Sequence, residues 1–155
     1  MKVSSVMTRK VVFLRPTDSL HDAVGKLVKN DISSLPVINN KGKLVGLVTE
    51  GDIIRTIDAY TPKIHFDTES SFAVVLAVLK KRPFDAIKKE IINSGKLRVS
   101  DFMNRSPHTI KPDADIYDAA RLMNRHRVKM LPVIDENKKV VGVIARADII
   151  RALSK

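Results

Sequence analysis

The stretch LPVI at residues 35–38 recurs without change 96 residues later, and so does DIIR at residues 52–55. Working outward from these two matches aligns residues 3–57 with residues 99–153 without a gap. Eighteen of the 55 aligned positions are identical, whereas ordinary residue usage gives roughly three or four matches by chance. The chain therefore contains a duplicated unit.

Each copy of the unit predicts the same order of elements, strand, helix, strand, strand, helix. Apolar residues of the first helix recur at spacings of three and four, which is typical of a helix with one buried face. Asparagine, lysine and glycine between two apolar runs predict a tight turn and hence a hairpin. The predicted elements of the first copy are a strand at residues 11–14 stopped by Pro16, a helix capped by Asp18 or Ser19 and ending near Asn30, strands at 35–38 and 43–49, and a helix at 53–57.

This pattern predicts an α+β fold, with two β-α-β-β-α repeats at residues 1–57 and 99–155 and a helical insert at residues 58–98. Each half alone leaves an apolar face uncovered, so we expect a pseudo-two-fold axis to relate the halves. Apolar stripes in the insert predict two short helices, one at residues 72–81 and one from Pro83 to about residue 93.

Composition excludes several classes of protein. The 155 residues are 44% hydrophobic, enough for a core, but no apolar run reaches the roughly 18 to 20 residues of a membrane span. The first residues show no secretory signal, so a soluble protein of the cytoplasm, without a membrane partner, is the default expectation. The chain has no cysteine, which excludes disulfides, thiolate catalysis and cysteine-bound metals. The four histidines are scattered, so no metal site is predicted.

The net charge of +11 favours an anionic partner such as a nucleotide, a nucleic acid or an acidic protein. A basic module that binds RNA or another polyanion is therefore one open alternative, although aromatic residues for stacking bases make up only 5% of the chain. A structural oligomerisation module with an empty cleft is another. No phosphate-loop, nucleophile-elbow or paired-carboxylate motif is present, so we expect no enzymatic activity.

The repeats resemble the CBS domain family, in the tandem arrangement called a Bateman module. The resemblance rests on a Val-x-x-x-Met opening in each copy, on LPVI, and on GLVTEGD at residues 46–52. It implies a cleft between the repeats that binds AMP, ADP, ATP, S-adenosylmethionine or a relative as a regulatory ligand, with no required cofactor. It also implies a disc-like homodimer, and a sensor that acts on a protein partner which the sequence does not identify. The insert lies outside the family's core.

Matching the motif residue by residue gives two sets of predicted binding residues. The first set, which we favour, places adenine against the opening strand, ribose on an aspartate and phosphate near a lysine: Thr8, Val12, Leu14, Thr49 and Asp52, with Lys129 and Met130 from the other repeat. The second set is Asn104, His108, Ile110 and Asp148, with Ser33 and Ser34 from the first repeat.

The second set departs from the family pattern at one position. Ala145 stands where the first copy has Thr49, so a hydroxyl donor is missing. Arg146 replaces Glu50, and either this arginine compensates or the second site is weak. Two structural readings stay open beside the binding reading. The two aspartates could serve as helix caps, and Gly46 and its equivalent Gly142 could permit close packing of the repeats.

Overall fold

The computed structural model describes residues 1–60, 85, 88–93 and 95–154. Each repeat contains a short helix, a longer helix, an antiparallel hairpin and a final helix, which confirms the predicted α+β fold. In chain order the elements are α1 (Val3–Val6), α2 (Leu20–Asn30), β1 (Ser34–Ile38), β2 (Leu44–Thr49), α3 (Glu50–Tyr60), a π-helical turn (Lys88–Ile92), α4 (Val99–Phe102), α5 (Ile116–His126), β3 (Met130–Ile134), β4 (Val140–Ala145) and α6 (Arg146–Leu153).

The two hairpins have the same register. β1 pairs with β2 and β3 with β4, and each pairing shifts by one residue before its last pair. The strand predicted at residues 11–14 is shorter than expected, because only Leu14 pairs, in parallel, with Val37. The backbone N–H of Leu14 donates to Pro36 and its carbonyl accepts from Ile38, both at 2.9 Å. Pro16 follows two residues later and has no N–H with which to continue a ladder.

Helix α2 begins and ends as the sequence predicts, whereas α3 is longer than the helix predicted at residues 53–57, because it begins at Glu50 and ends at Tyr60. Ser19 caps α2 by accepting a hydrogen bond from the backbone N–H of Asp22, whose carboxylate accepts from the backbone of Ser19 at 2.8 Å. The same carboxylate also accepts from the Ser19 hydroxyl at 2.9 Å, and these bonds from the Ser19 backbone and hydroxyl hold the pKa of Asp22 below its usual value. Both α2 and α5 end at a residue in the left-handed conformation, Asp31 (φ 51°) and Arg127 (φ 55°), so the two ends have matching backbones.

The opening segment of each repeat packs into the core of the other repeat. Val3 and Met7 lie in the buried cluster of the second repeat with Leu131 and Ile144. In the same way, Val99 is fully buried in the cluster of the first repeat. Burying a valine side chain contributes about 1.5 kcal/mol, so this exchange stabilises the pairing of the repeats.

Reciprocal backbone contacts show the pseudo-two-fold axis. Thr8 pairs with Val143, and the equivalent residues Asn104 and Leu47 also pair. Lys43 pairs with Lys139, and these two lysines occupy the same position in the two copies. The axis therefore passes between them.

The insert is described only at its two ends. The helix predicted at residues 72–81 lies outside the described residues. Within the second predicted helix, residue 85 is α-helical and Lys88–Ile92 form a π-helical turn. Ile91 of that turn is buried against the first repeat's core. None of the described helices combines the length and hydrophobicity needed to cross a bilayer.

Candidate functional site

A cavity of about 500 Å³ lies between the two repeats. Its volume is within the roughly 300 to 1,000 Å³ of pockets that hold small molecules. Seven of the predicted binding residues line it: Thr8, Val12, Ser33, Ser34, Lys129, Met130 and Asp148.

One wall of the cavity is the extended chain from Thr8 to Val12. The backbone of Thr8 exchanges hydrogen bonds of 2.9 and 3.0 Å with Val143 of β4, which fixes the segment against the other repeat. Within the part of the chain that the structure describes, the Thr8 hydroxyl has no hydrogen-bond partner. It is therefore available to a ligand.

The opposite wall carries Asp148 in the first turn of α6. This carboxylate is 6% exposed. Its Oδ2 accepts a hydrogen bond of 2.7 Å from the backbone N–H of Ala145, and its Oδ1 accepts from the guanidinium of Arg151. The aspartate therefore caps α6, as the structural reading proposed. A carboxylate has about four acceptor positions, so about two remain for a ligand.

Asp52, the equivalent residue in the first repeat, is more fully occupied. It accepts hydrogen bonds from the Thr49 backbone at 2.8 Å, from the Thr49 hydroxyl at 2.9 Å and from Arg55. The Thr49 hydroxyl is thus used by the cap and is not aimed at a ligand. The alanine at position 145 removes this competing donor, which leaves Asp148 with one more acceptor position than Asp52.

The charged side chains around the cavity balance in number. Three are basic (Lys10, Lys129 and Arg151) and three are acidic (Asp31, Glu50 and Asp148). Arg151 pairs with Asp148, and the amine of Lys129 lies 3.8 Å from the Glu50 carboxylate. Both partners of the second pair are exposed, so this contact is weak. Lys10 and Lys129 are therefore the side chains best placed to meet an anion.

The structure groups the predicted residues differently from the sequence. Thr8 and Val12 share the cavity with Asp148, not with Asp52, because the opening segment of the first repeat packs on the second repeat. Asp52 instead faces a depression lined by Leu97 and Phe102. Leu14, predicted to touch adenine, is fully buried in the first repeat's core.

The remaining residues of the second predicted set lie apart from this cavity's lining. Asn104 exchanges backbone hydrogen bonds of 2.9 Å with Leu47, and Ile110 is buried in the second repeat's core. Arg146 donates from Nε to the Val128 carbonyl at 3.1 Å. Of the second set, only Ser33, Ser34 and Asp148 line the cavity, so the structure does not bring the set together.

His108 lies beside a residue that sequence reasoning did not connect to it. Its ring stacks on that of His126, with centroids 3.6 Å apart. Desolvation, His108 and Arg125 lower the pKa of His126. Among the described residues, no group of three His, Cys, Asp or Glu side chains is placed to hold a metal ion.

Sequence reasoning missed four charged residues of the cavity: Lys10, Asp31, Glu50 and Arg151. Two of them could have been found from their spacing in the sequence. Lys10 falls midway between Thr8 and Val12, and alternate residues of an extended chain share a side. Arg151 lies three residues after Asp148, which is one helical turn.

The fold and the cavity define a class of protein, a module of two tandem repeats that meet across a cleft. Comparison with known proteins agrees with the two repeats. The model of the CBS domain matches residues 3–59 and 99–155. The chain belongs to the CBS domain family, as a tandem pair of these domains.

Three similar proteins bear on this assignment. Protein MJ1426 of Methanocaldococcus jannaschii is 34% identical over 99% of this chain and 91% of its own length. The chloroplastic CBSX1 of Arabidopsis thaliana is 31% identical over 97% of this chain, which spans only 63% of that protein. The crystal structure of CBSX2 in complex with AMP matches with a TM-score of 0.71 and 26% identity, over 99% of this chain and 96% of that one.

Proposed function

We propose that this chain is a regulatory, non-catalytic module that binds an adenine nucleotide, with AMP as the first ligand to test, in the cavity between the repeats. The observation that carries the proposal is the convergence of Thr8, Lys10 and Asp148 on one cavity of about 500 Å³. The AMP complex of CBSX2, a similar structure, supports the choice of ligand.

Each part of a nucleotide has a matching group in the cavity. The apolar side chains of Val12, Ile32 and Met130 offer a surface for the base. The Asp148 carboxylate has acceptor positions for the two ribose hydroxyls, and Lys10 and Lys129 supply positive charge for the phosphate.

The balance of charge favours a monophosphate over a triphosphate. A triphosphate would bring three or four negative charges toward a rim that already carries Asp31 and Glu50, and like charges at close range repel. ADP and ATP are therefore proposed as weaker ligands than AMP. S-adenosylmethionine has no phosphate to meet Lys10 and Lys129, and it is proposed as a weaker ligand for that reason.

Regulation requires that the bound and free forms differ in affinity for a protein partner. We propose that the bound and free forms differ in the contact between the opening segment and α6, because a nucleotide would join Thr8 of one repeat to Asp148 of the other. The insert at residues 58–98 is the proposed responding surface, and a cytoplasmic location stays a prediction.

Calorimetric titration of the purified chain with AMP, ADP, ATP and S-adenosylmethionine tests the proposal. We expect saturable binding of AMP, weaker binding of the other ligands and no turnover of any of them. Absence of binding with all four ligands would contradict the proposal. It would favour the alternative of a structural oligomerisation module with an empty cleft. Salt-sensitive binding of RNA that AMP does not displace would instead support the polyanion alternative.

A further inference from the structure

The turns of the two hairpins meet at the end of the module away from the cavity. Residues at the open end of each hairpin line the cavity: Ser34, Glu50, Met130 and Ala145. The turns themselves, residues 39–43 and 135–139, are described throughout and do not line it. They therefore form a surface that is separate from the proposed nucleotide site.

Backbone hydrogen bonds join the two turns edge to edge. The N–H groups of Leu44 and Val140 each donate across the joint, at 3.1 and 3.2 Å. These two bonds flank the antiparallel pair Lys43 and Lys139. The lysines are thus a non-hydrogen-bonded pair, the closer of the two kinds of antiparallel pair. In such a pair the Cβ atoms lie roughly 4.5 to 5.5 Å apart on one face.

Two positive side chains therefore stand directly opposite each other at the pseudo-two-fold axis. Both lysines are exposed, and like charges at directly opposed positions destabilise an antiparallel pair. Within the described ranges of the chain, neither amine has an ion-pair or hydrogen-bond partner. A bound anion would relieve the repulsion between them.

The positive charge extends over the whole of this end. We call residues 39–43 and 135–139, with Arg15 and Lys111, the lysine end; it carries six basic and two acidic side chains. Arg15 and Lys111 belong to it because they donate to the carbonyls of residues 39 and 135. The Asp135 carboxylate accepts from two backbone N–H groups of its own turn, at 2.8 and 2.9 Å. Glu136 is then the acidic side chain of the lysine end that the turn does not use.

The composition of the lysine end indicates what kind of anion it fits. It contains no aromatic side chain on which bases could stack. Its one arginine is partly buried and donates to backbone carbonyls, so no exposed guanidinium is free to grip a phosphate. It also contains no apolar side chain that could enter a membrane surface. Lysine point charges without these additions suit the carboxylates of aspartate and glutamate.

We propose that the lysine end docks an acidic segment of a protein partner, with carboxylates held between Lys43 and Lys139. The contact is small and exposed, so it forms quickly under electrostatic steering and weakens with salt. Because it relieves the repulsion of the opposed lysines, the bound segment also stabilises the fold. The docking does not depend on the nucleotide proposal, since the two sites share no residue.

Fluorescence anisotropy with a fluorescein-labelled oligoglutamate peptide tests the proposal on the full chain, without AMP. We expect saturable binding at low ionic strength that added salt abolishes. Lys43→Glu and Lys139→Glu should each weaken this binding about tenfold. Lys29→Glu is the matched control, because it changes the net charge equally but lies in the last turn of α2, near the cavity. An equal loss in all three variants would overturn the proposal, and so would absence of binding to the natural chain.

Thermal unfolding supplies a second readout of opposite sign. Lys43→Glu replaces a like-charge pair by an oppositely charged one, so it should raise the unfolding midpoint by about 1 to 3 °C while it weakens docking. The double variant Lys43→Glu with Lys139→Glu restores a like-charge pair and should lose this gain. A single variant that lowers both the midpoint and the peptide affinity would show a structural role and contradict the docking site. Tighter binding of an RNA oligonucleotide of equal charge, or of phosphatidylserine vesicles, through the same lysines would also overturn it.

Discussion

Substituting Asp148 by asparagine is the sharpest test of how the binding residues are grouped. The amide oxygen can still accept the backbone N–H of Ala145, a bond of 2.7 Å in the natural protein. The amide NH₂ then faces Arg151 and the ribose, where the carboxylate accepted hydrogen bonds. The variant therefore keeps the helix cap and removes the acceptor that a nucleotide needs.

The expected loss of affinity follows from the bonds that disappear. A hydrogen bond to a charged acceptor contributes about 1.5 to 3 kcal/mol. Losing one such ribose bond, with the second retained through the altered amide, gives about 2 kcal/mol, or roughly a thirty-fold weaker affinity for AMP. Arg151 is 69% exposed, so the lost ion pair itself destabilises the fold by less than about 1 kcal/mol.

Asp52→Asn is the matched control. Asp52 caps α3 as Asp148 caps α6, and it pairs with Arg55 as Asp148 pairs with Arg151. Both variants should therefore lose similar stability in chemical denaturation. Only Asp148→Asn should weaken AMP binding in calorimetry at fixed salt. A thirty-fold loss in Asp52→Asn with no loss in Asp148→Asn would refute the grouping, and unchanged binding in both would refute the ribose role.

Three further predictions concern packing, phosphate recognition and acid stability. Gly142→Ala should destabilise the fold by about 1 to 3 kcal/mol and weaken AMP binding, because its Cβ would lie 2.6 Å from a methionine sulfur of the opening segment. Gly25→Ala, which meets nothing within 4 Å inside α2, should instead stabilise it by about 0.5 to 1 kcal/mol in the same denaturation assay. Lys10→Ala should weaken AMP binding in calorimetry but leave adenosine binding unchanged, and an equal loss for both ligands would contradict a phosphate contact. Ser19→Ala should cost about 1 kcal/mol at pH 7. The Ser19 hydroxyl also donates to the Asp22 carboxylate at 2.9 Å. Because the folded-state pKa of Asp22 is lowered, the part of the cost due to this bond should disappear as pH falls through that pKa, and a cost independent of pH would exclude the hydroxyl–carboxylate bond.

The sequence predicted the parts of the fold that depend on local chemistry. The duplication, both hairpins and the two ends of α2 follow from residues that lie close together in the chain, such as Ser19 and Asp22. The predicted first strand was too long because four apolar residues, 11–14, have the composition of a strand. Only Leu14 has a backbone partner, Val37. The position of that partner depends on the tertiary fold and cannot be read from residues 11–14.

Seven of the residues that line the cavity were named from the sequence, but their grouping was not. Aligning the two copies shows which residues are equivalent. It does not show whether Thr8 packs on its own repeat or on the other one. The apolar residues Val3 and Met7 indicate only that this segment is buried, and the hydrophobic pattern does not say in which repeat. The contact of Gly142 with Met7 decides between them, and it joins residues of different repeats.

A groove between α2 and α3 on the outer surface of the first repeat shares a wall with the cavity, and this gives the duplicated architecture a route for regulation. Asp31 and Glu50 border both the cavity between the repeats and the groove on the outer surface. A phosphate near Lys129 would compete with Glu50 for that amine, which lies 3.8 Å from the Glu50 carboxylate. Glu50 would then be more available to a partner that binds at the groove. The affinities for the ligand and for such a partner are therefore expected to be linked, and linkage is reciprocal, so a partner that tightens AMP binding must itself be bound more tightly in the presence of AMP.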